Sequence, residues 1–209
     1  MNKVPAPDPD ASLVELARGG DYSAFEQLVT RHSQRIYGLA VSILRNREDA
    51  EEASQKAFIS ALEHLPSFRG ESPFGGWLSR IAANAALEIL RQRKHHLELS
   101  DTPGDGGDEG LPKPVFVADW SHDPSELAEQ VETRAILDRA LDSLDAKYRA
   151  IFVLRDVEGM STGETAKILE ISVANAKVRL LRARLLMREK LTEIFGDPAT
   201  RPIHEHHHD

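Results

Sequence analysis

From Ser12 almost to the end of the chain, apolar residues recur at steps of three and four, and the one long break in that rhythm is residues 97–125. A three-to-four step places apolar side chains along one face of a helix, whereas a half-buried strand needs alternation by two. The pattern therefore predicts an all-α chain of two small helical domains, 12–96 and 126–195, joined by a linker. The break holds four of the chain's eleven Pro and four of its thirteen Gly, among acids such as "SDTPGDGGDEG". That composition predicts an extended, solvated, flexible tether. Residues 1–11, a polar run with three Pro, are expected to be disordered. Residues 196–209 form a His-rich tail.

Helix ends are written into the first domain. "SLVELARGGD" predicts a helix closed by a Gly pair, and Asp21 is placed to cap the next one. "NREDAEEASQKAFISALEHLPSF" offers Asn46 as a cap, acids in the first turn and Pro66 beyond the end. Its apolar stripe is Ala50, Ala53, Ala57, Phe58, Ala61, Leu62 and Leu65. "SPFGGWLSRIAANAALEILRQRKHH" reads as a long helix starting at Ser72 or Pro73, with Trp77, Leu78, Ile81, Ala82, Ala85, Ile89 and Leu90 on its buried side.

In the second domain, Ser161 and Glu164 stand three apart, as a capping box requires. A short helix to Leu169, the turn "EIS" and a longer helix capped by Ser172 complete a helix-turn-helix plan. The second helix of such a unit turns its leading residues to base edges and its flanks to phosphates. Here these are Val173, Ala174, Asn175, Lys177 and Val178, followed by Arg179, Arg182 and Arg184. Asn suits an adenine edge, and Arg a guanine edge or a phosphate. Ala174 and Ala176 are small enough for close approach to a groove, and Leu180, Leu181 and Leu185 are expected to face inward.

Formal net charge is -8, yet "RQRKHH" at 91–96 and the helix from 172 are strongly basic. Charge distribution, more than its sum, decides nucleic-acid binding. Phe68, Phe74 and Trp77 lie near Arg80, Arg91, Arg93 and Lys94. Aromatics among cations suit a single strand, bases stacking on rings and the backbone meeting charge; the same aromatics at helical spacing also suit a core. The residues alone thus describe a duplex-binding module and a candidate single-strand-binding module on an acidic tether.

Other classes fit poorly. With no Cys, disulfides, thiolate metal sites and Cys nucleophiles are excluded. His32, His64 and His122 stand alone, and Glu51 and Glu52, adjacent on a helix, point apart. "GDGGDEG" follows no strand, so no phosphate-cradling loop is expected, nor any cofactor. An enzyme is not expected. In the tail, His204, His206, His207 and His208 are weak metal-ligand candidates. No run of about 18 apolar residues exists, so membrane insertion is not expected; without an apolar signal core near Met1 a cytoplasmic protein is expected. The rivals that remain are a polymerase-independent helix-turn-helix regulator, which has no need of the first domain, and a helical adaptor, which has no need of clustered Arg.

The two modules, in this order, resemble the extracytoplasmic-function (ECF) sigma factors of the sigma-70 family. "DYSAFEQLVTRHSQRIYGLAVSILRNREDAEEASQKAFISALEHLPSFRGESPFGGWLSRIAANAALEILRQRK" looks like sigma region 2, and "LDSLDAKYRAIFVLRDVEGMSTGETAKILEISVANAKVRLLRARLLMREKL" is similar to region 4. The resemblance covers residues 12–96 and 126–192. It implies binding of core RNA polymerase, recognition of promoter -10 and -35 elements, promoter-specific transcription initiation, and control by an anti-sigma factor. By position, Asp49, Glu51, Glu52 and Gln55 would face the core enzyme. Phe74, Trp77, Arg80, Asn84, Arg91, Arg93 and Lys94 would serve the -10 element, near a flipped, unpaired base. The helix with Val173, Ala174, Asn175, Lys177, Val178, Arg179, Arg182 and Arg184 would serve the -35 element. Two departures stand out: Lys56 where the family usually has an acid, and "NAKVR" where it often shows Thr-Val-Lys-Ser-Arg.

Overall fold

The computed structural model describes residues 8–98 and 131–195, and all of its regular elements there are helices. The first half holds α1 (Ala11–Arg18), α2 (Tyr22–Leu44), α3 (Arg47–His64), a 3-10 turn (Leu65–Ser67) and α4 (Phe74–Glu98). The second holds α5 (Val131–Asp142), α6 (Ala146–Phe152) continued by a π-helical turn (Val153–Val157), α7 (Thr162–Ile168) and α8 (Val173–Phe195). The all-α expectation is met. The linker, but for its first two residues at the end of α4, and the His-rich tail with His204, His206, His207 and His208 lie outside the described residues.

Local chemistry sets the helix starts. The Asp21 carboxylate accepts from the Ala24 amide at 3.1 Å, and the Asn46 side chain accepts from the Asp49 amide at 2.9 Å. Each satisfies one of the amides a helix start leaves unpaired. The α3 stripe is almost all alanine where it is most buried, at Ala50, Ala53, Ala57 and Ala61. Small side chains let α2 and α4 pack close on either side of it. Phe58 packs partly buried against that core, while Leu62 is largely exposed.

α4 begins at Phe74, beside the expected start, with the Pro73 carbonyl accepting from the Trp77 amide at 3.1 Å. Its side-chain cap comes from far away in the chain: the Asp8 carboxylate accepts from the Phe74 amide at 2.7 Å. Residues 8–11, placed in the disordered N-terminal run, are also structural. Asp10 is buried, pairs with Arg31 and lies 2.7 Å from His32 Nε2. A run rich in Pro and Asp reads as disorder when it lacks partners; here a helix start and two cationic side chains supply them. Gly75 permits the crowding, since a Cβ there would sit 3.0 Å from His32 and 3.2 Å from Arg35.

The buried residues of both halves form one continuous apolar cluster. α6 meets α2, and α7 lies against α4. Arg149, only 9% exposed, ties the seam. Its Nε donates to the Ile43 carbonyl at 3.2 Å and its Nη1 to the Leu144 carbonyl at 2.9 Å. Ile43 belongs to the last turn of α2, whose carbonyls lack helical partners. Burial pushes the Arg149 guanidinium down from its ordinary value, with nearby Arg45 adding to the effect.

Candidate nucleic-acid interface

The helix-turn-helix forms as its capping signals predict. The Ser161 hydroxyl accepts from the Glu164 amide at 3.2 Å, and the Glu164 carboxylate accepts from the Ser161 amide at 2.9 Å. These bonds, with Arg80 nearby, hold the Glu164 carboxyl below its ordinary value. The turn passes through Glu170 in the left-handed region, φ 56°. The Ser172 hydroxyl then accepts from the Asn175 amide at 3.1 Å and starts α8.

On the leading turns of α8, Val173, Ala174, Asn175, Lys177 and Val178 are exposed, with Arg179 and Arg182 half-buried beside them. Ala176 is not on that face. It is fully buried, and its small side chain lets α8 sit close on the domain, not on a groove. Leu180 is buried as expected, Leu185 only half-buried, and Leu181 is 60% exposed. Leu181 belongs with Val178 on the outward face, since three-residue neighbours share a side. Arg184 forms a two-pronged pair with Asp156, at 2.8 and 2.6 Å, and that carboxylate holds the guanidinium above its ordinary value. The π-helical turn supplies Asp156, a tie that periodicity could not show.

The α4 residues divide. Phe74 is 1% exposed, packed against Phe68 at 6.0 Å, Trp77 at 5.7 Å and His32 at 5.5 Å. It is a core residue and no base can stack on it, which corrects its place among the -10 residues. Trp77 rests one face on Phe68 at 4.8 Å and stays half-buried. It opens on a groove of about 420 Å³ whose walls are Lys56, Ser60 and His64 of α3 and Trp77, Asn84 and Glu88 of α4. That volume is in the range of small-ligand pockets. The sequence reading missed the α3 wall, because those polar residues look like a solvated helix face until α4 is packed beside them.

The cations of α4 are engaged. Arg80 pairs with Glu164 at 2.5 Å, Arg91 with Glu170 at 3.2 Å, and Arg93 with Asp49 at 2.6 Å. Nothing is described of the Lys94 side chain. On α3, Glu51, Glu52 and Gln55 are exposed and Asp49 half-buried. Lys56 bonds Glu52 at 2.8 Å, and that bond raises the ammonium above its ordinary value. Ile59 and Leu62, exposed and three apart, extend the same helix surface with apolar residues. Among the described residues no group of His and carboxylates is arranged to hold a metal, and no helix is long and apolar enough to cross a membrane.

A helix-turn-helix with an outward basic helix, docked on a second helical module with an aromatic-walled groove, defines a two-module DNA-binding architecture. The comparisons with known proteins agree. Residues 28–96 match sigma-70 region 2, and residues 134–187 match sigma-70 region 4. The chain is 34% identical over 175 residues to the ECF RNA polymerase sigma factor SigM of Mycobacterium tuberculosis, covering 84% of this chain and 81% of that one. It is 33% identical over 186 residues to the ECF RNA polymerase sigma-E factor of Escherichia coli, covering 89% and 96%. Among solved structures, CnrH in complex with the cytosolic domain of CnrY aligns at a TM-score of 0.53 and 27% identity, over 88% of this chain and 97% of that one. The fold is shared also with RpoE of Bartonella quintana, solved with the anti-sigma factor NepR, at a TM-score of 0.54, 23% identity and 80% and 96% coverage. The chain belongs to the ECF RNA polymerase sigma factors of the sigma-70 family, which are transcription initiation factors.

Proposed function

We propose that this chain recruits core RNA polymerase to its promoters by dividing the work among three helices. α8 enters the major groove of the -35 element with Val173, Ala174, Asn175, Lys177 and Val178 toward bases, and Arg179, Arg182 and Arg184 toward the backbone. α4 serves the -10 element, with Asn84 and Trp77 at the groove and Arg80, Arg91, Arg93 and Lys94 along the strand. Asp49, Glu51, Glu52 and Gln55 of α3 face core polymerase, with Ile59 and Leu62 as apolar contacts beside them. The chain supplies recognition and leaves bond-making to the polymerase, in the cytoplasm and under the control of an anti-sigma partner.

The observation that carries this reading is the groove between α3 and α4. A base leaving the duplex needs a ring to stack on and polar groups to meet its edge. Trp77 offers the first; Asn84, Ser60 and Lys56 offer the second. A helix-turn-helix regulator acting on intact duplex has no use for such a groove.

The test is run-off transcription with core RNA polymerase from the source organism, on the DNA upstream of the chain's own gene. A discrete start dependent on this protein is expected, lost on Arg179→Ala with Arg182→Ala and weakened by Asn84→Ala. No transcript together with no co-elution with core enzyme overturns the reading.

A further inference from the structure

Asp10 stands at the N-cap position of α1, where an aspartate ordinarily bonds the first amides of its own helix. Its side chain makes no such bond. It is turned away and buried, 4% exposed, with one oxygen on Arg31 and the other 2.7 Å from His32 Nε2. A carboxylate taken out of water is costly unless it is paired, and this one is paired with α2. Asp8 divides its oxygens too. One accepts from the Asp10 amide at 3.1 Å and the other from the Phe74 amide at 2.7 Å. The Pro9 carbonyl between them accepts from Arg31 at 3.4 Å. Three successive residues ahead of α1 thus bind α2 and the start of α4.

What they hold is the first turn of α4. Asp8 pairs the Phe74 amide, one of those a helix start leaves open. The His32 ring, backed by Asp10, lies 5.5 Å from the Phe74 ring and fills the space beside Gly75, where a Cβ would sit 3.0 Å from it. Trp77 closes the same turn. Its amide donates to the Pro73 carbonyl at 3.1 Å, and its ring lies 5.7 Å from Phe74 and 4.8 Å from Phe68. Phe74 is buried, but Trp77 faces the groove between α3 and α4. A binding side chain works only when the residues behind it lock its place. Behind Trp77 those residues lead back, through Phe74 and His32, to Asp8 and Asp10.

We propose that residues 8–10 form a strap that positions Trp77: Asp8, through the Phe74 amide, and Asp10, through His32, lock the first turn of α4 so that the Trp77 ring stands where an unpaired base stacks. Asp8 and Asp10 are positioning residues and touch no nucleic acid. This rests on the assignment of the groove between α3 and α4 to such a base. Charge separates the strap from a simple field effect. Both residues are acids in a module assigned to DNA, so on electrostatics alone removing either charge tightens binding. The strap predicts weaker binding for Asp8→Ala. Asp8→Asn removes the same charge but keeps an accepting oxygen for the Phe74 amide, so it should bind no weaker than the parent.

The chain has two Trp, Trp77 and Trp120. With Trp120→Phe as the parent, Trp77 reports its own surroundings on the full chain. Acrylamide quenching of its emission, measured without DNA, reads how firmly the ring is packed. Quenching should rise on Asp8→Ala and on Asp10→Ala and stay at the parent's level on Asp8→Asn. A fluorescein-labelled mixed-sequence single strand of roughly 20 nucleotides should bind Asp8→Ala and Asp10→Ala roughly three-fold or more weaker than the parent, part of the worth of one stacked base. Ile151→Val trims a fully buried residue of α6 and costs stability with the strap intact. It should change neither reading.

Quenching unmoved by Asp8→Ala and Asp10→Ala overturns the strap. Freer quenching with equal or tighter single-strand binding overturns its part in strand capture. Binding as weak in Asp8→Asn as in Asp8→Ala assigns the effect to charge and overturns it too. A change in Ile151→Val as large as that in Asp8→Ala assigns it to lost stability, with the same result. No binding of the strand by the parent defeats the assignment of the groove and the strap's part in capture with it, while quenching separately reports whether the strap holds the ring.

Discussion

The Asp8 carboxylate accepts a hydrogen bond from the Phe74 backbone amide at 2.7 Å, capping α4 from 66 residues away. A carboxylate at a helix start pairs an orphan amide and complements the helix dipole. Asp8→Ala is expected to cost about 1 kcal/mol, read as a shift of the urea midpoint. Hydrogen exchange should speed first in the opening turn of α4. Truncation up to residue 8 should reproduce the loss.

Phe74 and Trp77 stand three apart on one helix and predict opposite phenotypes. Phe74→Ala empties a fully buried site and should cost about 3–5 kcal/mol of stability. Trp77→Ala should unfold the protein far less. It should weaken single-strand binding by about 1–3 kcal/mol, the usual worth of a stacked base. Urea melts beside fluorescence anisotropy separate the two. Equal losses of stability would remove Trp77 from the proposed groove.

Glu170 carries a left-handed backbone with φ 56°. The strain of a side chain there is about 1–2 kcal/mol, and glycine removes it while returning about 0.4–1 kcal/mol of unfolded-state entropy. Glu170→Gly should therefore raise stability by about 0.5–1 kcal/mol, as a higher thermal midpoint. The exposed Arg91 pair that is lost detracts little.

Glu164 makes a signed pH prediction. Its folded-state carboxyl is held below the ordinary value of 4.5 by the Ser161 bonds and Arg80. A group with a depressed folded value stabilises the fold above its unfolded value and loses that contribution as pH falls through the folded one. The stability gap between the parent and Glu164→Gln should be constant at neutral pH and close progressively below about pH 4.5. Denaturant melts at stepped pH measure it.

Arg179 is assigned to a backbone contact. Arg179→Ala should weaken binding to duplex from upstream of the gene and lower the slope of log affinity against log salt by about 1. Asn175→Ala should change preference among duplexes and leave that slope as it was. Salt titrations of both variants on two duplexes decide between the roles.

Much of this protein is legible along the chain because its signals are local. Helical periodicity, Asp21, Asn46, Ser161 with Glu164, and Ser172 each act within a turn of their own position, and each cap forms where its residue types predict. Asn175 and Lys177 are exposed for the same reason: one helix and one docked face determine them. What depends on distant partners is not written there. Whether Phe74 meets a base or a core follows from Phe68 and His32 packing around it. Whether Asp8 and Asp10 belong to a disordered end follows from the free amide of α4 and the side chains of Arg31 and His32. Lys56 and Asn84 share a groove only because an alanine stripe lets α3 and α4 lie close. The engagement of Arg80 by Glu164 requires two halves to meet across a tether, and no spacing between residues 80 and 164 encodes that. Short-range bonding determined the elements; burial and long-range charge pairing decided which of their faces remain free to bind.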